Sequence, residues 1–220
     1  MSHYIDLSHT IFDGLVTYKG IPAPIICDFL SREASRSLFE QETEFHIPRI
    51  DMVANSGTYI DCPFHRYADG KDLSEVGLEQ FADLPAVVVR APHSERLEVG
   101  LERFRDIDVA GKAVLIHTGW SEHWNKPAYF QDHPFLTQEA AEYLRDQRAL
   151  LVGIDSHNID DTRGRNSRPV HTALLRHDIL IVEHLTGLEK VPDHEFGFSA
   201  IPPKVRGMGT FPVRAFATIV

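Results

Sequence analysis

Three residues of this chain place a reactive side chain in an apolar setting. Asp61 lies between Ile60 and Cys62, His65 follows four positions later, and Glu183 ends the run Ile179-Leu-Ile-Val182. A carboxylate in such surroundings is costly unless it meets a metal ion, a cation or several hydrogen-bond donors. An imidazole with an ordinary pKa of about 6.5 both takes and gives protons at neutral pH. Acidic and imidazole groups that close apolar strands commonly serve sites, so the set suits hydrolytic or acid/base chemistry. Nearby, Tyr59 offers a phenol that could donate a proton, and Asn55 an amide that could bind a developing oxyanion. Each also has a plainer reading. His65 could be a hydrogen-bonded core histidine and Glu183 an ion-paired strand terminus, while Gly57 and Pro63 read as backbone devices that shape the turn before His65.

Residues 55–65 read Asn-Ser-Gly-Thr-Tyr-Ile-Asp-Cys-Pro-Phe-His. The stretch resembles the H-x-G-T-H-x-D-x-P-x-H motif of the cyclase family, which contains the bacterial kynurenine formamidases and isatin hydrolases. Gly57, Thr58, Asp61, Pro63 and His65 fall on that pattern, whereas its two leading histidines are Asn55 and Tyr59 here. The likeness continues in Asp6-Leu-Ser-His-Thr-Ile11, in Gly111-Lys-Ala-Val-Leu-Ile-His-Thr-Gly-Trp-Ser121 and in Leu151-Val-Gly-Ile-Asp-Ser156. It ends with His171-Thr-Ala-Leu-Leu175, Ile181-Val-Glu-His-Leu185 and Phe198-Ser-Ala-Ile-Pro-Pro203. The resemblance implies a single α/β domain, residues 1–220, with a mixed sheet core like the family's swivelling β/β/α arrangement.

As the resemblance implies, the leading histidines and the aspartate hold one divalent ion, and a downstream histidine and glutamate complete a second site. Carried onto this chain, the remaining ligands are Asp61, His171 and Glu183, and the acid/base group is His65. An asparagine amide is a weak zinc ligand and a phenol with a pKa of about 10 rarely gives up its proton to such an ion, so the first position is expected to be empty. The other three suit one ion, zinc or manganese, or no metal at all. Three functions follow: a hydrolase of an amide, formamide or lactam C–N bond; a metal-independent lyase or cyclising enzyme using Tyr59 and His65; or a non-catalytic small-molecule-binding relative. Retention of Asp61, His65, His171 and Glu183 favours catalysis, and the overall match favours an arylformamidase-like hydrolase. If the Tyr59 hydroxyl serves the reaction, Tyr59→Phe spares stability and costs activity.

For the substrate, Asn55, Phe64, Trp120 and His157 are the candidate pocket residues, drawn from an aromatic set that includes Phe12, Tyr18 and Trp124. His177 and His184 flank ligand candidates and read as surface groups. The run 158–169 is polar and rich in turn formers, so it reads as a solvated loop, or as one from which Arg163, Arg165 or Arg168 grips a carboxylate or phosphate.

The elements that must position these residues are short. Apolar runs at 86–90, 113–117, 150–154 and 179–182 have the length and Val/Ile/Leu content of buried strands. Residues 136–150 predict a helix capped by Thr137, with Ala140, Ala141, Leu144 and Arg145 at helical spacing. Residues 73–81 and 170–176 are the other helix candidates. A net charge of -10 and the lack of any basic run argue against nucleic acid. No stretch approaches the roughly 20 apolar residues that cross a bilayer, and two cysteines are too few for a disulfide framework, so a cytoplasmic protein is expected. Family members associate, which implies a homodimer or larger homo-oligomer, with the apolar residues 21–26 as the local candidate interface.

Overall fold

The computed structural model describes residues 2–163 and 167–219. The Val/Ile-rich runs form the central strands of one sheet because both of their faces are covered. The strands in chain order are β1 (His3–Asp6), β2 (Ile25–Leu30), β3 (Ile47–Asp51), β4 (Tyr59–Asp61), β5 (Leu84–Arg90), β6 (Glu98–Val99) and β7 (Ala113–His117). They continue with β8 (Phe135–Leu136), β9 (Leu151–Ile154), β10 (Leu180–Glu183), β11 (Phe196–Ser199), β12 (Thr210–Pro212) and β13 (Phe216–Ile219). Nine of them make a mixed sheet in the order β1-β13-β11-β5-β7-β9-β10-β4-β12. The inner four, β5, β7, β9 and β10, run parallel, and the flanking pairs are antiparallel. One core, containing Leu115, Leu151, Val182 and Phe198, lies against one face, and a second, containing Val114, Ile116, Leu144 and Leu174, lies against the other.

The helices are α1 (Arg32–Ser35), α2 (Gln138–Asp146) and α3 (Pro169–Leu175). In α2 the Thr137 hydroxyl accepts from the Ala140 amide at 3.3 Å, and Ala140, Ala141 and Leu144 are buried, as their spacing predicts. Residues 73–81 do not form the expected helix. They make a 3₁₀ turn over Leu78–Gln80, because the Asp72 carboxylate draws in the Ser74 amide and hydroxyl and closes a tight turn ahead of Gly77. The run 158–169 also departs from a solvated loop. Asn158, Ile159 and Asp160 are buried, Arg163 is exposed, and Arg165 lies outside the described residues. Among the described residues no helix is long and apolar enough to cross a membrane. Strands β2 and β3 pair only with each other and leave Ile25, Phe29, Ile47 and Ile50 exposed.

Candidate functional site

Sheet register assembles the site. Strand β4 lies between β10 and β12, so that Tyr59 is paired with Glu183 on one side and Asp61 with Thr210 on the other. Gly57 opens this strand at φ +67°, and a Cβ there would meet the Ile11 side chain at 2.7 Å, so both conformation and space require glycine. His65 sits on the 3₁₀ turn Pro63–His65 that follows β4. His171 is on α3, which enters through Arg168 in the left-handed region at φ 51° and ψ 61°. His184, directly after Glu183, is also left-handed at φ 58°. Two non-glycine residues held in this way beside the site mark it as strained.

Glu183 has no solvent exposure, and four polar groups surround it. The Tyr59 hydroxyl donates to Oε2 at 2.5 Å, the Ile159 amide to Oε1 at 2.7 Å, and Asn158 and Tyr18 reach Oε2 at 3.3 Å. Burial nevertheless raises the Glu183 pKa, with the Asp61 charge adding to it, while His171, Tyr59 and the Ile159 amide pull it back. The same burial, with the Glu183 charge, pushes the Tyr59 phenol well above 10. Tyr59 has one proton and commits it to Glu183, so it is a donor and not an ionised ligand.

Asp61 is 1% exposed. One of its oxygens accepts from the Thr210 hydroxyl; the other, Oδ2, is buried with no hydrogen-bond partner in the described structure. Thr210 also lies 2.7 Å from His65 Nδ1. Because the threonine proton goes to the carboxylate, its oxygen must accept from His65 Nδ1–H, which leaves Nε2 as the nitrogen that can accept. On the other side, His171 Nδ1 donates to Asp160 Oδ2 at 2.6 Å, and its Nε2 lies 3.7 Å from Asp61 Oδ2 and 3.8 Å from Glu183 Oε1. Burial by itself lowers His171, but the hydrogen bond to Asp160 and the Glu183 and Asp61 charges more than offset it and hold the imidazole at about 10. Asp160 further accepts from the Val170 and His171 amides and so caps α3, whose own N-cap residue offers no side chain.

A cavity of about 310 Å³ is lined by Tyr18, Asn55, Tyr59, His65, Asn158, His171 and Glu183. Arg66 and Arg168 also line it. Arg163 instead pairs with Asp161 through two 2.9 Å contacts. Of the nine residues singled out from the sequence, Asn55, Tyr59, His65, His171 and Glu183 meet at the cavity, and Asp61 lies behind it against His65 and His171. Phe64, Trp120 and His157 are not among the lining residues. Phe64 is 36% exposed, and the Trp120 indole N–H donates to the Tyr129 carbonyl at 3.1 Å. The His157 ring is buried among Tyr18, Tyr129, His133 and His184, and only its carbonyl takes part, accepting from Tyr18 at 2.8 Å. His184 is fully buried rather than superficial, 2.8 Å from the Tyr129 hydroxyl.

Thr210, Asp160 and Asn158 are not picked out by their positions in the chain, and Tyr18 only as one of the aromatic set. An apolar Ile159 inside the polar run 158–169 was the one cue that this segment turns inward.

The residues present fit a divalent ion. Donors bound to one ion at about 2.1 Å are roughly 3.4 Å apart in a tetrahedron, close to the 3.7 and 3.8 Å separations around His171 Nε2. The bare Asp61 Oδ2 is a ligand atom without another use, and donor atoms of Asp61, His65 and His171 all lie within 4.8 Å of one another. Asp61, His65 and His171 are the three whose donor atoms converge, and Glu183 approaches the group through His171 Nε2 at 3.8 Å.

Comparison with known proteins places the sequence and the fold. The Cyclase family model matches residues 5–161. A kynurenine formamidase of Geobacillus thermodenitrificans is 31% identical over 218 residues, covering 98% of this chain and 97% of that protein. Among solved structures, a potential metal-dependent hydrolase with cyclase activity superposes with a TM-score of 0.80 at 25% identity, over 100% of this chain and 99% of the other. Isatin hydrolase A from Ralstonia solanacearum has the same single-domain α/β fold, with a TM-score of 0.85 at 22% identity over 100% and 92% of the two chains.

Proposed function

The chain belongs to the Cyclase family, and from that premise we propose that it is a hydrolase opening the C–N bond of a formamide, amide or lactam in a small substrate, with aryl formamides the first choice. The observation that carries this reading is the 2.7 Å contact of His65 Nδ1 with the Thr210 hydroxyl, itself bonded to Asp61, which assigns Nε2 of this cavity-lining residue as the acceptor. In this mechanism His65 Nε2 takes a proton from water as its oxygen attacks the carbonyl carbon. Asn55 donates its amide N–H to the carbonyl oxygen as negative charge develops there. When the tetrahedral adduct collapses and the C–N bond breaks, His65 returns the proton to the departing nitrogen.

Asp61, His171 and Glu183 would hold one divalent ion, zinc or manganese. Such an ion, when bound, supplies Lewis-acid polarisation of the carbonyl and a lowered pKa of water. Tyr59, with its proton committed to Glu183, positions that carboxylate rather than protonating a substrate. Arg66 and Arg168 give the cavity two cations suited to a substrate carboxylate. We also assign a homo-oligomer to the chain through the exposed β2–β3 ribbon; light scattering that returned the single-chain mass of 24.9 kDa would overturn it.

The direct test is hydrolysis of formanilide, N-formylanthranilate and isatin by purified protein equilibrated with zinc or manganese. Turnover that disappears in His65→Ala, with N-formylanthranilate preferred to formanilide, is the expected result. Failure of folded, metal-equilibrated protein to hydrolyse any of the three refutes the assignment.

A further inference from the structure

Outside the cavity, His93, Glu122 and His123 converge in a way that an ordinary solvated surface does not require. His93 Nε2 lies 3.2 Å and His123 Nε2 3.4 Å from the same oxygen, Glu122 Oε1, and donor atoms of all three residues are within 4.8 Å of one another. We propose that these residues form a binding site for a borderline transition-metal dication, zinc in the first instance, separate from the catalytic cavity.

The distances match the roughly 3.4 Å that separates tetrahedral donors on one zinc ion. Two imidazoles and a carboxylate are a donor set for zinc, nickel or copper rather than for magnesium or calcium, which take oxygen ligands. The plain alternative is a pair of surface contacts. A surface ion pair of this kind is worth about 0–1 kcal/mol. That reading leaves two like rings, 5.6 Å between centroids, directed at one carboxylate oxygen. Protonating both rings would set two cations against each other, whereas a single dication satisfies all three donors at once.

The ligands are also held in place before any ion arrives. The His93 amide donates to the Thr118 carbonyl at 2.9 Å, and Glu122 and His123 sit on the 3₁₀ turn Trp120–His123, which Gly119 enters in the left-handed region at φ +77°. Trp120, 8% exposed and pinned by its indole N–H, packs edge-on against both rings at 5.2 and 4.5 Å. The Asp155 carboxylate fixes the start of the turn through the Thr118 and Gly119 amides at 2.7 and 2.8 Å. The two histidine side chains are each 27% exposed and Glu122 is 62% exposed, so solvent water can fill the remaining coordination position. Three protein ligands and an outward fourth position make a clamp on this turn, whose next residue, Trp124, stacks on His9 at 4.0 Å.

The experiment uses the whole chain, stripped with a chelator and dialysed against low-micromolar zinc, with bound metal measured by elemental analysis. Three proteins are compared: wild type, the double variant His93→Ala/His123→Ala, and Asp61→Asn/His171→Ala, which disables the cavity ligands. The surface variant should lose one zinc per chain and keep its hydrolytic rate, and the cavity variant should retain that zinc. Glu122→Gln, which preserves side-chain shape, should lose the same equivalent, and zinc should raise the melting temperature of the cavity variant but not of the triple combination with His93→Ala. Equal zinc content in wild type and the surface variant, or occupancy only at millimolar zinc, overturns the proposal.

Discussion

Removing one oxygen from Tyr59 tests the core of the site, because that atom makes its shortest hydrogen bond to a fully buried carboxylate. In Tyr59→Phe the ring still fills its place, but Glu183 Oε2 keeps only the Asn158 and Tyr18 contacts, both at 3.3 Å. A hydrogen bond to a charged group contributes about 1.5–3 kcal/mol, and part of that is the cost of leaving the buried acceptor short of donors. The vacated volume of a single oxygen is too small to admit a water in its stead. Tyr59→Phe should therefore cost about 2 kcal/mol, and the melting temperature of a chain this long should fall by roughly 4–8 °C. Sequence alone predicts that stability holds if the hydroxyl serves the reaction; the structure ties that hydroxyl to Glu183. Urea unfolding followed by circular dichroism measures the loss, with Tyr18→Phe as the internal comparison. Tyr18 reaches Glu183 only at 3.3 Å and otherwise bonds neutral partners, so its variant should lose about 1 kcal/mol. If Tyr59→Phe unfolds within 0.5 kcal/mol of wild type, a value below the smallest loss allowed here, Glu183 is not a charged acceptor for Tyr59 and the argument for its positioning role collapses.

Three other outcomes follow from the same geometry. His65→Ala should lower kcat by about 10²–10⁴ while leaving bound metal unchanged, since the ring is placed as a base; loss of metal along with rate would make His65 the third ligand in place of Glu183. Asp160→Asn removes the charge that orients His171 Nδ1, and should weaken metal affinity by about 10–100-fold, as loss of a ligand-orienting carboxylate does elsewhere; unchanged affinity, read by competition with a zinc indicator, counts against His171 as a ligand. Burial lowers the His9 imidazole from 6.5 to about 4, so below pH 6.5 the unfolded chain takes up a proton that the folded chain refuses, and stability falls as pH drops from about 6.5 to 4. The difference, 6.5 less 4, corresponds to roughly 3 kcal/mol at about 1.36 kcal/mol per unit, and His9→Gln should flatten the urea midpoint over that window by about this amount. Parallel midpoint curves for the two proteins would show that His9 charges freely in the folded state.

What could be read from the chain alone depended on whether the cause was local. The α2 helix was legible because its cap and its apolar spacing are contained within nine residues, and the inner strands were legible because a strand covered on both faces is apolar throughout. Residues 73–81 misled because the competing force was a side chain, Asp72, drawing the backbone into a turn; composition alone does not reveal that preference. At the site, Asp61, His65 and Glu183 stood out by contrast with apolar neighbours. Thr210 and Asp160 carried no such contrast, since a threonine at the start of an edge strand and an aspartate in a polar run are unremarkable until pairing with β4 and the start of α3 show what they touch. Trp120 does not line the cavity: its motif lies beside the sheet end, but the buried ring packs against the histidines at positions 93 and 123 and donates to the Tyr129 carbonyl.

The charge balance gives a physical reason why tyrosine can occupy position 59. Asp61, Asp160 and Glu183 bring three carboxylates into a space where none is more than 1% exposed, and such charge must be neutralised or closely solvated by donors. In a two-ion centre of the kind the sequence resemblance implies, four positive charges would face these groups. With Tyr59 and Asn55 in place of the two leading histidines, two of those charges are lost. Glu183 then needs local donors, and the chain supplies them as the Tyr59 hydroxyl, the Asn158 amide and the Ile159 backbone N–H. Asp160 is satisfied by two backbone amides and His171, which leaves Asp61 Oδ2 as the single carboxylate oxygen of the three groups with no donor. One ion beside Asp61 and His171 completes that balance, and a second would have to displace the Tyr59 proton from Glu183 before it could bind.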